Sequence, residues 1–289
     1  MSIRTAVIPA AGNGTRALPL ASTLDKGLLP IYAGNSIRPV MDWVIEDCAD
    51  AGIEQVIIVA TEHGQAQFED FFFNMRPDFK NRLQDAGKTK TIEQEEIRRL
   101  SRGVKIDFVY QPLGHYGTGF ALSLARDLLK DEKQFVFMSG DELVYRQDEK
   151  SELGLLINTF ELAGTEHAMM GYPVDEDDAP KYGNINSDSD GRLISIKEKP
   201  PRNEVSHNPF VNISRFILGE TIWPCVDEIM ARNLEPGEEY FVTDAVNLAV
   251  AQGQKVKVHQ VGGTYLDCGN SEALRLASNF ISDHPKSRN

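Results

Sequence analysis

The sequence predicts a three-layer α/β/α fold around a mixed, mainly parallel central sheet. Two patterns carry that expectation. Short apolar runs at 4–10, 54–60, 104–111 and 134–140 alternate with longer amphipathic stretches, as successive βαβ units require. After a helix over 151–163 the chain changes to closely spaced strands and turns at 166–174, 182–186, 193–199 and 207–218, so the second half extends the sheet in mixed orientation. With 289 residues and 41% hydrophobic content there is enough chain for a substantial core. The expected organisation is a single domain over 1–283 whose halves meet near residue 150, with a loose tail at 284–289.

The first run stops abruptly in Ala10-Ala11-Gly12-Asn13-Gly14-Thr15-Arg16, a loop too small and flexible to be core. Its glycines let backbone N–H groups approach an anion closely, while Thr15 adds a hydroxyl and Arg16 a planar guanidinium, which is phosphate-binding chemistry. A P-loop is excluded, because it needs Gly-Lys-Ser/Thr and neither glycine here is followed by lysine. Gly12-x-Gly14-x-x-Ala17 does satisfy the dinucleotide pattern G-x-G-x-x-A. That fold needs a helix to open inside the motif, however, and Pro19 and Pro30 interrupt the next stretch. Beyond the loop runs an irregular arm from Leu18 to Pro30, with Lys26 in an apolar setting. Taken alone, Lys26 reads more readily as a surface lysine lying along apolar neighbours.

The two segments together, Ala-Gly-x-Gly-Thr-Arg and then a lysine followed at one remove by Leu-Leu-Pro, resemble the signature of the sugar-1-phosphate nucleotidylyltransferases. The resemblance covers nearly the whole chain and points to the bacterial UTP–glucose-1-phosphate uridylyltransferase branch. It implies a Rossmann-like nucleotidyltransferase fold in which Ala10, Ala11, Gly12, Gly14 and Thr15 bind the nucleotide, while Arg16 and Lys26 hold its triphosphate.

Farther on, 39–51 reads as an amphipathic helix closed by Gly52, and 63–73 as a second helix whose Phe68, Phe71, Phe72 and Phe73 suit core packing. The highly charged stretch 77–102, rich in Glu93, Glu95, Glu96, Arg98, Arg99 and Arg102, reads as a solvated helical excursion; its length matches the insertion that the resemblance leads one to expect. The third strand ends in Gln111-Pro-Leu-Gly114-His-Tyr-Gly117-Thr-Gly119. A glutamine there can pair with a pyrimidine edge and the glycines leave room for a flat base, although a glycine-rich turn with a solvated amide explains the residues as well. By the resemblance, Gln111 and Gly117 contact uracil. Asp141 and Glu142 come directly after the fourth strand, at the sheet edge where open α/β proteins bind ligands. Asp188-Ser-Asp-Gly191 lacks the rest of a calcium loop and reads as a hairpin turn. Lys197-Glu198-Lys199-Pro200 reads by itself as a solvated strand end. In the family this segment is the sugar-phosphate clamp, which assigns Glu198 to the glucose hydroxyls, Lys199 to the phosphate, and Gly183 to the segment covering the sugar. Helices are expected near 220–232 and 243–252 with a strand at 255–262. Before a final helix, Asp267 matches the family's Asp-x-Gly motif, so Asp141 and Asp267 are expected to share one Mg²⁺.

A net charge of −13 excludes a nucleic-acid backbone or an anionic membrane as partner. Cys48, Cys225 and Cys268 form neither a zinc motif nor a disulfide framework, and no stretch approaches the roughly 20 apolar residues of a membrane helix, nor does an apolar leader open the chain. A cytoplasmic location is therefore expected, with UTP and a hexose 1-phosphate as substrates and a homo-oligomer, dimer or tetramer, as the assembly. The implied reaction is in-line attack of glucose 1-phosphate on UTP, giving UDP-glucose and pyrophosphate, with Arg16, Lys26 and Asp141 as the catalytic groups. Two departures keep a second reading open: Gly27 replaces a glutamate after the arm lysine, and Phe120 a histidine common in the family. On that reading the chain is a catalytically weak paralogue that binds nucleotide sugar or a partner subunit, or it serves another hexose 1-phosphate.

Overall fold

The computed structural model describes residues 3–100, 103–148, 150–235 and 237–286. β1 (Thr5–Pro9) leads into the glycine loop, and the arm beyond it consists of three single 3-10 turns, Thr15–Ala17, Leu20–Ser22 and Lys26–Leu28. A hairpin that periodicity does not predict, β2 (Pro30–Ala33) with β3 (Ser36–Pro39), then enters α1 (Val40–Asp50). β4 (Gln55–Ala60) is followed by α2 (Glu62–Phe72), capped where the Thr61 hydroxyl accepts from the Gly64 amide at 3.0 Å. The charged excursion folds as two helices, α3 (Pro77–Asp85) and α4 (Thr89–Leu100); Arg102 lies outside the described residues.

β5 (Lys105–Tyr110), α5 (Thr118–Leu124), β6 (Gln134–Met138) and the short β7 (Glu142–Tyr145) complete the first half. The second half runs α6 (Glu152–Ala163), β8 (His167–Pro173), β9 (Gly183–Ser187), β10 (Leu193–Glu198), β11 (Phe210–Gly219) and α7 (Trp223–Met230). α8 (Val242–Ala251), β12 (Val256–Gln260), β13 (Thr264–Asp267) and α9 (Ser271–Asp283) end it. Asp188 closes the β9–β10 turn, its Oδ1 accepting from the amides of Asp190 and Arg192 at 2.9 and 2.8 Å, so the hairpin reading holds.

β6, β1, β4 and β5 lie side by side in parallel, and β11 continues the sheet antiparallel to β6 before pairing with β8 and β9; β10 pairs with β9 at one end and β12 with β8. The alternation along the strands explains the three layers. Ala6, Ile8, Val56 and Ile58 face one core with α1, α2, α6 and α9, whereas Val7, Ile57 and Val59 face the other with α5, α7 and α8. Phe68 and Phe72 are fully buried in the first core, while Phe73 is half exposed, so the aromatic face of α2 is mostly packing. The carbonyl of His284, where the loose tail is expected to begin, accepts a 2.7 Å hydrogen bond from the Tyr145 hydroxyl; Ser287 to Asn289 lie outside the described residues.

Candidate functional site

Strand order reverses at β1. The chain leaves β1 outward through β4 and β5 and returns on its other side as β6. Loops diverge at such a point and leave a crevice beyond the carboxyl ends of the strands. The glycine loop and Asp141 flank that crevice. Ala10 is anchored by a 2.7 Å bond from its amide to the Val59 carbonyl, and both Ala10 and Ala11 are buried, whereas Gly12, Thr15 and Arg16 are exposed. A β-carbon on Gly12 would lie 3.5 Å from Lys26 Nζ, so the loop and the arm lysine face each other.

Lys26 Nζ donates to Asp141 Oδ2 at 2.8 Å, with 22% of the lysine side chain and 10% of the aspartate exposed. Ser139 also donates its hydroxyl to Asp141 Oδ1. Burial works to lower the Lys26 pKa, but the charge and hydrogen bond of Asp141 outweigh it and hold the ammonium above the ordinary lysine value. Burial works to raise Asp141, and Lys26 and Ser139 outweigh it, so that carboxylate is held below its ordinary value. Its neighbour Glu142 is pushed the other way, up to about 8, by burial and then by the charge of Asp141. Two adjacent carboxyls are therefore driven apart, and Asp141 is the one that stays ionised.

Asp267 comes from β13, whose residues pair antiparallel with β7 so that Asp267 stands opposite Glu142. The position a β-carbon on Gly269 would take lies 2.8 Å from Arg16 Nη2, 3.0 Å from Asp267 Oδ1 and 3.3 Å from Asp141 Oδ2. Gly269 thus keeps open the point where one cation and two carboxylates converge. Among the described residues no group of three or more His, Cys, Asp or Glu side chains forms a metal cluster. A pair of carboxylates still fits a divalent ion of the Mg²⁺ kind, which characteristically takes one or two carboxylates and completes its shell with phosphate oxygens and water. In this structure the pair is balanced by Lys26 and Arg16.

Directly after β5, Gln111 is buried and its Nε2 donates to the His115 carbonyl at 3.4 Å. Gly114 has open space around it, but Gly117 and Gly119 do a different job from the one expected. Gly117 has φ +104°, and a β-carbon on it would come within 2.3 Å of the Tyr240 carbonyl oxygen; the Gly119 amide donates to that oxygen at 2.7 Å. The room that these two glycines leave is taken by the backbone of Tyr240, not by open space. A cleft of about 600 Å³ lies beside this loop, lined by Asn13, His115, Tyr116 and Glu238 to Tyr240 among others. A larger cleft of about 710 Å³ between β3, α1 and α4 shares no lining residue with the site. Phe120 is buried, its ring 5.2 Å from that of His115.

Where β9 meets the end of β10, Gly183 and Glu198 are cross-strand partners, and a β-carbon on Gly183 would lie 2.9 Å from Glu198 Oε1. Lys199 has φ +39°, a sparsely populated conformation for a side chain of its kind, and its amide donates to the Tyr182 carbonyl at 3.1 Å. Both Glu198 and Lys199 are exposed. Tyr182 bridges toward the carboxylates: burial and then the charges of Asp267 and Glu142 push its hydroxyl up to about 12.

Three participants are absent from the sequence reading. Ser139 is one. Asp25 is another: its Oδ1 accepts from the Gly27 amide at 2.9 Å, and burial pushes its carboxyl up to about 6 against the pull of that amide and of Lys26. An acid directly before the lysine of an apolar arm is the available signal. The third is Glu152, whose fully enclosed carboxylate accepts from Arg146 Nη1 at 2.8 Å and from the Gly262 and Gly263 amides at 2.9 and 3.1 Å, with His259 Nε2 at 3.1 Å. It fastens the turn that launches β13 and so sets where Asp267 stands. Gly27 is equally constrained, since a β-carbon there would sit 3.1 Å from both Met41 Cε and Phe68 Cζ.

The family model for nucleotidyl transferases matches residues 5–284. A UTP–glucose-1-phosphate uridylyltransferase of Bacillus subtilis is 31% identical over 272 residues, spanning 92% of this chain and 87% of that one. Its counterpart in Mycoplasma pneumoniae is 29% identical over 97% of this chain and 92% of its own. Among solved structures, an apo UDP-glucose pyrophosphorylase superposes with a TM-score of 0.79 at 25% identity, covering 97% of this chain and 98% of the other. The UTP-bound enzyme of Acinetobacter baumannii, at 24% identity and the same TM-score over 98% of this chain and 95% of its own, shows the shared fold.

Proposed function

The chain belongs to the nucleotidyl transferase family, and from that premise we propose that it transfers a uridylyl group from UTP to glucose 1-phosphate, forming UDP-glucose and pyrophosphate. The observation that carries this reading is the convergence of Arg16, Asp141 and Asp267 at Gly269 with Lys26 on Asp141. Such a cluster suits a reaction that moves charge between phosphates and needs no covalent enzyme intermediate. The glycine loop would receive the triphosphate on its backbone amides, with Arg16 and Lys26 over the departing pyrophosphate. Lys199 would hold the attacking phosphate in line, and Glu198 the sugar hydroxyls. Gln111 would read the uracil edge, with the backbone of Gly117 beside it. Asp141 and Asp267 would hold Mg²⁺, which when bound neutralises phosphate charge. Lys26 must then turn from Asp141 toward the triphosphate, an exchange of one anionic partner for another.

Three buried free cysteines suit a reducing compartment such as the cytoplasm, and among the described residues no helix is long and apolar enough to cross a membrane. Assembly as a dimer or tetramer belongs to the same reading, and light scattering on the purified protein tests it. One observation favours a second reading, that of a weakly catalytic binder of nucleotide sugar: Gly27 stands where the family has glutamate, and a β-carbon there would press on Met41 Cε and Phe68 Cζ at 3.1 Å. Pyrophosphate release measured with UTP and a panel of sugar 1-phosphates separates the two. Turnover with glucose 1-phosphate is the expected result; tight UDP-glucose binding without turnover would replace it with the second reading, and turnover with a different hexose 1-phosphate would redefine the substrate.

A further inference from the structure

α8 joins the two half-sites. Upstream of it, the Tyr240 amide donates to the Tyr116 carbonyl at 3.0 Å and the Tyr240 carbonyl accepts from the Gly119 amide at 2.7 Å, so Tyr240 is laced to both sides of the loop beyond Gln111. The Val242 amide adds a 3.0 Å bond to the Thr118 hydroxyl. The helix then reaches β10, an edge strand of the sheet. Asn247 brackets Ile196 on that strand, accepting from its amide at 2.7 Å and donating to its carbonyl at 2.8 Å. Two residues farther along β10, Glu198 Oε1 accepts from the Thr243 hydroxyl at 2.9 Å.

Thr243 is 3% exposed and sits in the first turn of α8, where a threonine hydroxyl ordinarily turns back to a helix amide or carbonyl. Here it points outward to a carboxylate on another element. An exposed glutamate on an edge strand would otherwise sample several rotamers, and fixing it before the ligand arrives removes that ordering cost from binding.

We propose that Thr243 is a positioning residue for sugar 1-phosphate recognition: its hydroxyl holds the Glu198 carboxylate against Gly183, in a register that α8 takes from the base-side loop. The inference rests on the proposed uridylyl transfer. Its test compares the wild type, Thr243→Val, Thr243→Ser, Glu198→Gln and the Thr243→Val/Glu198→Gln double variant by steady-state kinetics in both substrates, with thermal melting alongside. Thr243→Val should raise KM for glucose 1-phosphate about tenfold, equivalent to about 1.4 kcal/mol, while KM for UTP stays within twofold and kcat within threefold. Thr243→Ser should restore the wild-type KM. On the Glu198→Gln background the valine should add nothing, because the two residues act as one unit. An unchanged KM in Thr243→Val, an equal rise in both KM values with a lowered melting temperature, no rescue by serine, or additive effects in the double variant would each overturn the assignment. A wild type that turns over no sugar 1-phosphate would instead bring down the proposed function, and the role of Thr243 with it.

Discussion

The proposed nucleotide half-site and the proposed sugar half-site are built to different degrees of rigidity. On the proposed nucleotide side Lys26 and Asp141 are largely enclosed and already paired, with Ser139 also on Asp141, and only Arg16, beside Gly269, is exposed. Parallel strands covered on both faces hold them. On the sugar side Glu198 and Lys199 are exposed at the end of an edge strand, in a hairpin closed by Asp188. Orientation there comes from a few side-chain hydrogen bonds. The contrast suits a site that gathers charge for a triphosphate in an enclosed crevice and leaves the sugar side to single contacts such as Thr243 to Glu198 for its orientation.

If the contrast is right, substitutions on the two sides should affect different kinetic parameters. The largest effect is expected from Lys26→Ala, which removes a preorganised cation and should lower kcat by about 10²-fold or more. A kcat near wild type in a folded variant would reduce the arm to scaffolding. Lys199→Ala should come next, raising KM for glucose 1-phosphate about ten- to hundred-fold with some loss of kcat, while UTP binding measured by titration calorimetry is unchanged. Equal weakening of both substrates would erase the distinction between half-sites. Gln111→Ala should weaken UTP about tenfold and erode its preference over other pyrimidine nucleotides, leaving the sugar KM alone.

The smallest effect concerns stability. Asp25 has a folded value of about 6 against an ordinary 3.8, so the fold favours its protonated form. That contribution is fully present below about pH 4 and is lost as the pH rises through about 6. Melting of the wild type and of Asp25→Asn at pH 5 and pH 7.5 should therefore show the asparagine variant gaining, relative to wild type, on the order of 1 to 2 kcal/mol at the higher pH. A constant difference between the two pH values would mean that Asp25 is already ionised at pH 5 and that the arm is more solvated than its packing implies.

Much of the molecule was legible in the chain. The apolar runs that became β1, β4, β5 and β6 are long and regular enough to declare themselves, and strand ends bordered by Gly12 or Asp141 mark the crevice in the sequence itself. Short elements were harder: β2, β3 and β7 are four residues each, too brief to establish a period. Gly117 and Gly119 announced only that a side chain was unwelcome. What crowds them is Tyr240, more than a hundred residues away, and composition around position 117 contains no trace of it.

By itself the sequence determined the class of fold, a glycine-rich first loop of the kind that suits a phosphate, and the residue types available for charge, because periodicity, glycine placement and side-chain chemistry act over a few neighbouring residues. Only the tertiary structure decided the pairings: that Lys26 rests on Asp141, that Glu152 anchors the turn into β13, that Thr243 reaches Glu198, and that Asp25 and Glu142 are driven toward protonation while Asp141 is not. Each depends on which distant segments share a low-dielectric interior, where burial and a single charged neighbour several ångströms away outweigh anything the local sequence encodes.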